Sequence, residues 1–126
     1  MKSTIISFSI FVLMLFCIIF SINYLNTICT KLQDSNIKVE KSIQSSSWKE
    51  AYENSQNFME EWEKYYPKLS IFSDHNEIED ISNESQKLLQ HIKHKNSEES
   101  LSSANVIQNS LKHIREMQQL NIQNLF

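Results

Sequence analysis

Side chains able to do chemistry are few in this chain, and they fall into four groups. His91 and His94 stand three apart, the spacing that puts two imidazoles one helical turn apart and suits a shared metal. No carboxylate or cysteine joins them in a known ligand pattern, and Lys93 and Lys95 flank them. A solvated helix end, where cations meet the negative end of the helix dipole, accounts for them better. Asp74, His75, Asn76, Glu77, Glu79 and Asp80 form the densest polar cluster. Such a set could hold a divalent cation or pass protons, but acids at this density also mark a helix N-terminus. Within it His75 is the residue to watch. The expected role is structural: a hydrogen bond tying the 67–73 link to a neighbouring helix. Trp48, Tyr52, Phe58, Trp62, Tyr65 and Tyr66 could line a ligand pocket, although their helical spacing favours core packing. Cys17 and Cys29 are too far apart on one helix to pair, which leaves two free thiols or, as the alternative, an intermolecular bridge at Cys29. No nucleophile, base and orienting group recur at a spacing known from enzymes, and no cofactor motif is present. The expectation is a protein that is not an enzyme and has no cofactor, catalytic residue or metal site.

Composition narrows the scaffold. The 126 residues include no glycine and one proline, Pro67. Hairpins, bulges, phosphate-cradling loops and strained nucleophile elbows all draw on glycine, so helices joined by short polar links are expected. The net charge is −3. No block of Lys or Arg lies outside the apolar N-terminal stretch, so nucleic acid is not expected as a partner.

That stretch, Ile5 to Ile22, carries no charge, and Tyr24-Leu25 extends it. Roughly 20 residues of helix cross a bilayer core. No small-residue cleavage pattern closes the run, so residues 1–25 read as an N-terminal tail and an uncleaved transmembrane signal-anchor. A single-pass protein of the cell membrane is expected, with its body extracytoplasmic. Lys31, Lys38 and Lys41 pull against that orientation.

Residues 26–119 read as a helical bundle. The anchor helix continues through Leu25, Ile28, Leu32, Val39 and Ile43 until Ser45-Ser46-Ser47. A second helix opens on a Ser47-x-x-Glu50 capping box, carries Trp48, Ala51, Tyr52, Ser55, Phe58, Met59 and Trp62 on one face, and stops before Pro67. A third follows an Asp74-x-x-Glu77 box with Ile78, Ile81, Ser85, Leu88, Leu89 and Ile92. Ser97 caps a fourth, whose stripe is Leu101, Ala104, Ile107, Leu111, Ile114 and Met117. Residues 120–126, with Leu120, Ile122, Leu125 and Phe126, form an apolar C-terminal tail. The fold class is therefore all-α, a transmembrane helix continuing into an antiparallel up-down bundle of about four helices. The expected core is Trp48, Ala51, Phe58, Trp62, Ile78, Ile81, Leu88, Ile92, Leu111 and Ile114. Ile43 and Ile92 each precede a short serine-containing link, which suggests two related hairpins about fifty residues apart.

The order of these features resembles a known family. An N-terminal anchor, Ser47-Trp48-x-x-Ala51, Trp62, the run Leu69-x-x-Phe72-x-x-His75-x-x-Ile78 and the ending Asn124-Leu125-Phe126 together resemble domain-of-unknown-function family 4363. The resemblance implies a small membrane-anchored helical protein of low-GC Gram-positive, spore-forming bacteria, and a YetF-like membrane protein as its partner. It implies no activity. The function expected is that of a non-catalytic interaction or accessory subunit of a membrane protein. The alternative is an extracytoplasmic ligand or ion sensor.

Overall fold

The computed structural model describes residues 1–125, with side chains described through Leu120; the side chains of Ile122 and Leu125 and all of Phe126, assigned above to an apolar tail, lie outside the described residues. Four helices follow one another: α1 (Lys2–Gln44), α2 (Trp48–Phe72), α3 (His75–Lys93) and α4 (Ser97–Leu125). No strand occurs among the described residues. Links of two or three residues force each helix to run back along the one before, and each packs against two neighbours: α1 and α3 both lie against α2 and α4. Residue 120 begins no separate tail, because α4 runs on to Leu125.

The buried positions alternate by three and four. The seam runs through Leu25, Cys29, Leu32, Asn36, Val39 and Ile43 in α1, where Ile22, Ile28, Gln33 and Ser42 are buried as well, and through Ala51, Ser55, Phe58, Trp62, Tyr65 and Leu69 in α2. This is the heptad spacing that keeps one seam of a helix against its partners along its whole length. The same pattern recurs in the second hairpin at a constant offset. Cys29, Leu32, Asn36, Val39 and Ile43 map onto Ile78, Ile81, Ser85, Leu88 and Ile92. Ala51 to Leu69 map onto Ser100, Ala104, Ile107, Leu111, Ile114 and Gln118, and every one of these is buried. The two hairpins expected from Ile43 and Ile92 are thus two copies of one packing pattern.

Their turns match as well. Ser46 and Lys95 both have left-handed backbone, φ 58° and 53°. At the first turn Ser46 N–H donates to Ile43 and Ser47 N–H to Ser42; at the second Lys95 N–H donates to Ile92 and Asn96 N–H to His91. Both are Schellman closures, normally built on glycine. A chain with no glycine instead places a serine and a lysine where a Cβ costs roughly 1–2 kcal/mol.

Several local expectations need correction. Ser47 does begin α2, but its hydroxyl caps nothing and lies 3.2 Å from Ser45 Oγ. The cap of α4 is Asn96, whose Oδ1 accepts from Glu99 N–H at 3.1 Å, one residue earlier than Ser97. Asp74 does cap α3, accepting from Asn76 N–H at 3.0 Å. Helix α2 does not stop at Pro67 but passes through it to Phe72. The carbonyl of Glu63, left without a donor, lies at an exposed residue where water can serve it. Tyr65 and Leu69 are buried on either side and hold the turn in register. In α4 the buried position after Ile114 is Gln118, with Met117 facing out, because the heptad step there is four residues and not three.

Of the ten expected core residues, nine are buried; Trp48 is only half-buried, packed against the edge of the core where α2 begins at the end of the bundle. Helix α1 is long and apolar enough to cross a membrane, and the window that makes it so is almost wholly uncovered by the rest of the fold.

Candidate functional site

Polar and ionisable groups gather in three places. The first is a groove of ≈360 Å³ between α1 and α2, lined by Lys31, Asp34, Ser35 and Lys38 on one side and Asn54, Asn57, Glu60 and Glu61 on the other. Helical spacing puts these residues just outside the buried seams of their helices, so polar side chains meet across the joint. Glu61 Oε2 is buried there without a hydrogen-bond partner. Nearby, Asn54 Nδ2 donates to Ser42 Oγ at 2.8 Å. Lys31, Asp34 and Lys38 alternate in charge on the α1 side and face amides and carboxylates on α2, which suits water or a small zwitterion and offers no nucleophile with a base.

The second lies between α2 and α3. Trp62 Nε1 donates to Ser82 Oγ at 2.7 Å, and Tyr66 meets Trp62 edge to face with ring centroids 6.1 Å apart. Tyr66 in turn donates to Glu79 Oε1 at 3.4 Å. A cleft of ≈240 Å³ opens beside Met59, Trp62 and Tyr66. The aromatic helix thus packs as core on one edge and presents only a shallow cleft on the other.

The third is the corner where α3 begins. Glu77, in the first turn of α3, pairs with His113 Nδ1 of α4. A cavity of ≈200 Å³ is bounded there by Phe72, Ser73, Asp74, Glu77, His113 and Gln118. The hydroxyl of Ser73 is buried without a partner, so imidazole and hydroxyl share a cavity but are not joined by a hydrogen bond. An acid holding one ring nitrogen orients the other, yet a nucleophile must also be in reach before the set can act.

His75 does not tie the α2–α3 link to a neighbouring helix. Its ring is 71% exposed and sits 3.6 Å from Glu79 on its own helix. The histidine that makes a cross-helix tie is His113, which sequence reading passed over. Glu77 and His113 are equidistant from the turn at Lys95, so extending the antiparallel register from that turn would have paired them. His91 is half-buried and His94 exposed. Among the described residues no group of three His, Cys, Asp or Glu could hold a metal.

The thiols differ sharply. Cys17 is exposed on the apolar segment, whereas Cys29 is fully buried between helices. Burial pushes the Cys29 thiol up to about 11, with the Arg115 guanidinium opposing the shift. The intermolecular bridge considered for Cys29 is therefore blocked by the fold itself. Burial also raises the Glu40 carboxyl above its usual range.

Comparison with known proteins settles the lineage. The model of the domain-of-unknown-function family DUF4363 matches residues 19–125. The chain belongs to the DUF4363 family. The match begins inside the apolar segment and runs across all four helices of the DUF4363 fold, so the end of that segment and the bundle belong to one family unit. No curated protein and no solved structure matches this DUF4363 chain.

Proposed function

We propose that this chain is a single-pass membrane protein whose helical body works by binding another protein, as a non-catalytic accessory subunit of a membrane partner. The observation that carries the reading is the two-part character of α1. From Ile5 to Phe20 its large apolar side chains stand mostly in the open, and from Ile22 onward the same unbroken helix is core. Exposed apolar surface on that scale requires cover, and a bilayer fits its length and lack of charge. The body then sits directly on the membrane, where a membrane protein is the natural neighbour. A YetF-like protein is the partner that the family resemblance suggests. In this reading the body is extracytoplasmic and the anchor is a signal-anchor.

A second reading, an extracytoplasmic sensor, draws on the α1–α2 groove and the unpartnered Glu61 oxygen. In-cell crosslinking with mass spectrometry tests the first reading: a membrane protein should be recovered on the body of the chain. Recovery of the chain crosslinked only to itself refutes it. Because Cys29 is buried, orientation is read at Lys49→Cys, on the exposed far end, with an impermeant maleimide. Labelling in whole cells places the body outside, and labelling only after lysis places it inside.

A further inference from the structure

The end of the bundle nearest the apolar segment carries a group of exposed apolar side chains. At that end α2 finishes in Ile71 and Phe72, which are 75% and 49% exposed. Met117 and Leu120 of α4, 43% and 49% exposed, lie at the same end. Between Lys68 and Asp74 no side chain is charged, and none is charged after Glu116; Asp74, Glu77, Glu79 and Asp80 follow where α3 opens. The far end is the opposite: Lys41, Lys49, Glu50, Lys93, Lys95 and Glu98 crowd around the two turns.

This apolar end continues the anchor's own surface. Phe72 and Gln118 share one cleft of ≈320 Å³ with Cys17, Ile18, Ser21 and Ile22 of the apolar segment. Gln118 Nε2 donates to the Phe72 carbonyl at 2.8 Å, satisfying a helix-end acceptor that would otherwise face hydrocarbon. Helix α4 then runs on to Leu125, about 10 Å beyond Gln118 at 1.5 Å per residue. Antiparallel to α1, its end comes level with about Cys17, inside the uncharged run. Above this zone, Lys68 Nζ donates to Tyr24 OH at 2.5 Å and lies 4.9 Å from the ring centre, a cation and an aromatic at one level, as at a membrane–water boundary.

We infer that the end of α2 and the end of α4 are inserted in the lipid interface, with the acidic start of α3 at headgroup level, so that the bundle is seated end-on in the same bilayer its first helix spans. The occupant of this surface is lipid: acyl chains cover Ile71, Phe72 and Leu120, and the headgroups lie near Tyr24 and Lys68. The inference rests on the anchor reading and adds a second, non-spanning contact to it.

The test uses the full chain with Cys17 replaced by serine, reconstituted without any partner in vesicles of phosphatidylglycerol and phosphatidylcholine. Phe8→Cys, Ile71→Cys, Leu120→Cys and Lys49→Cys, one at a time beside the buried Cys29, each carry an environment-sensitive fluorophore, and nitroxide groups on the lipid chains quench by contact. At positions 71 and 120, emission should fall by about half or more, as for side chains sunk 5–10 Å into the interface. Position 8 should also be quenched, and position 49 should not. Quenching at 8 without quenching at 71 and 120 overturns this inference and leaves the anchor standing. Equal quenching at 49 and 71 overturns the end-on seat. No quenching at 8 overturns the anchor reading, and this inference with it.

Discussion

The two tryptophans, equivalent by sequence spacing, should behave unequally. Trp62 is 3% exposed, its indole N–H donates to Ser82, and its ring fills the space between α2 and α3. Trp62→Ala leaves a cavity the size of an indole in a heptad-packed core, which costs about 3–5 kcal/mol. For a body of roughly 100 residues each kcal/mol moves the melting point by about 4–8 °C, so the midpoint should drop by roughly 12–40 °C. Trp48 is half-buried at the start of α2, where water can enter the space it vacates. Trp48→Ala should cost about 1–2 kcal/mol, or roughly 4–16 °C. Ser82→Ala keeps the ring but strips the indole of its acceptor, a loss of about 1 kcal/mol. Thermal melts of the full chain in detergent micelles, followed by far-UV ellipticity, compare the three variants directly. The packing argument fails if Trp48→Ala melts as low as Trp62→Ala, or if Trp62→Ala melts with the unaltered chain.

Ser46→Gly and Lys95→Gly should each stabilise the body by about 1 kcal/mol, since glycine removes the Cβ penalty of the left-handed turn; chemical denaturation midpoints measure this, and no gain at either site would deny the closure geometry. The Cys29 thiol should resist alkylating reagents at neutral pH until the body unfolds, a result read by mass after timed exposure. Because its folded value lies near 11, above the ordinary 9, the protonated thiol is favoured by folding; that stability is fully present below pH 9 and lost as pH rises from about 9 to about 11, which a Cys29→Ala variant should not show.

The seams of this bundle were legible because heptad spacing is a local property. Leu32, Val39 and Ile43, or Ile78, Ile81 and Leu88, announce their face without knowledge of any partner. The ends of helices were less so. Ser47, Asn96 and Ser97 are all good caps by type, and which of them bonds to a helix N–H depends on backbone angles set by the Schellman turns. Pro67 is a helix breaker by local rule, but the burial of Tyr65 and Leu69 outweighs that preference. At Trp48 the residue type was right and the depth wrong, because position along a helix says little about distance from the end of the bundle. The candidate site was the least legible part. His75 drew notice through its neighbours in sequence, whereas the pair the fold builds, Glu77 with His113, lies 36 residues apart.

The unbroken course of α1 has a mechanical meaning. Over its 43 residues it contains no glycine and no proline, and it makes a rod about 65 Å long. About four-fifths of the way along it, Asn36 is clamped to Ala104 and Gln108 of α4, at 2.8 and 3.0 Å. A rod without a joint transmits torque. Rolling the apolar half about its axis would turn the Asn36 amide against α4, and tilting it would swing the charged far end through an arc. The far end, with its turns at Ser46 and Lys95, is in that sense the short arm of a lever whose long arm lies in the apolar segment.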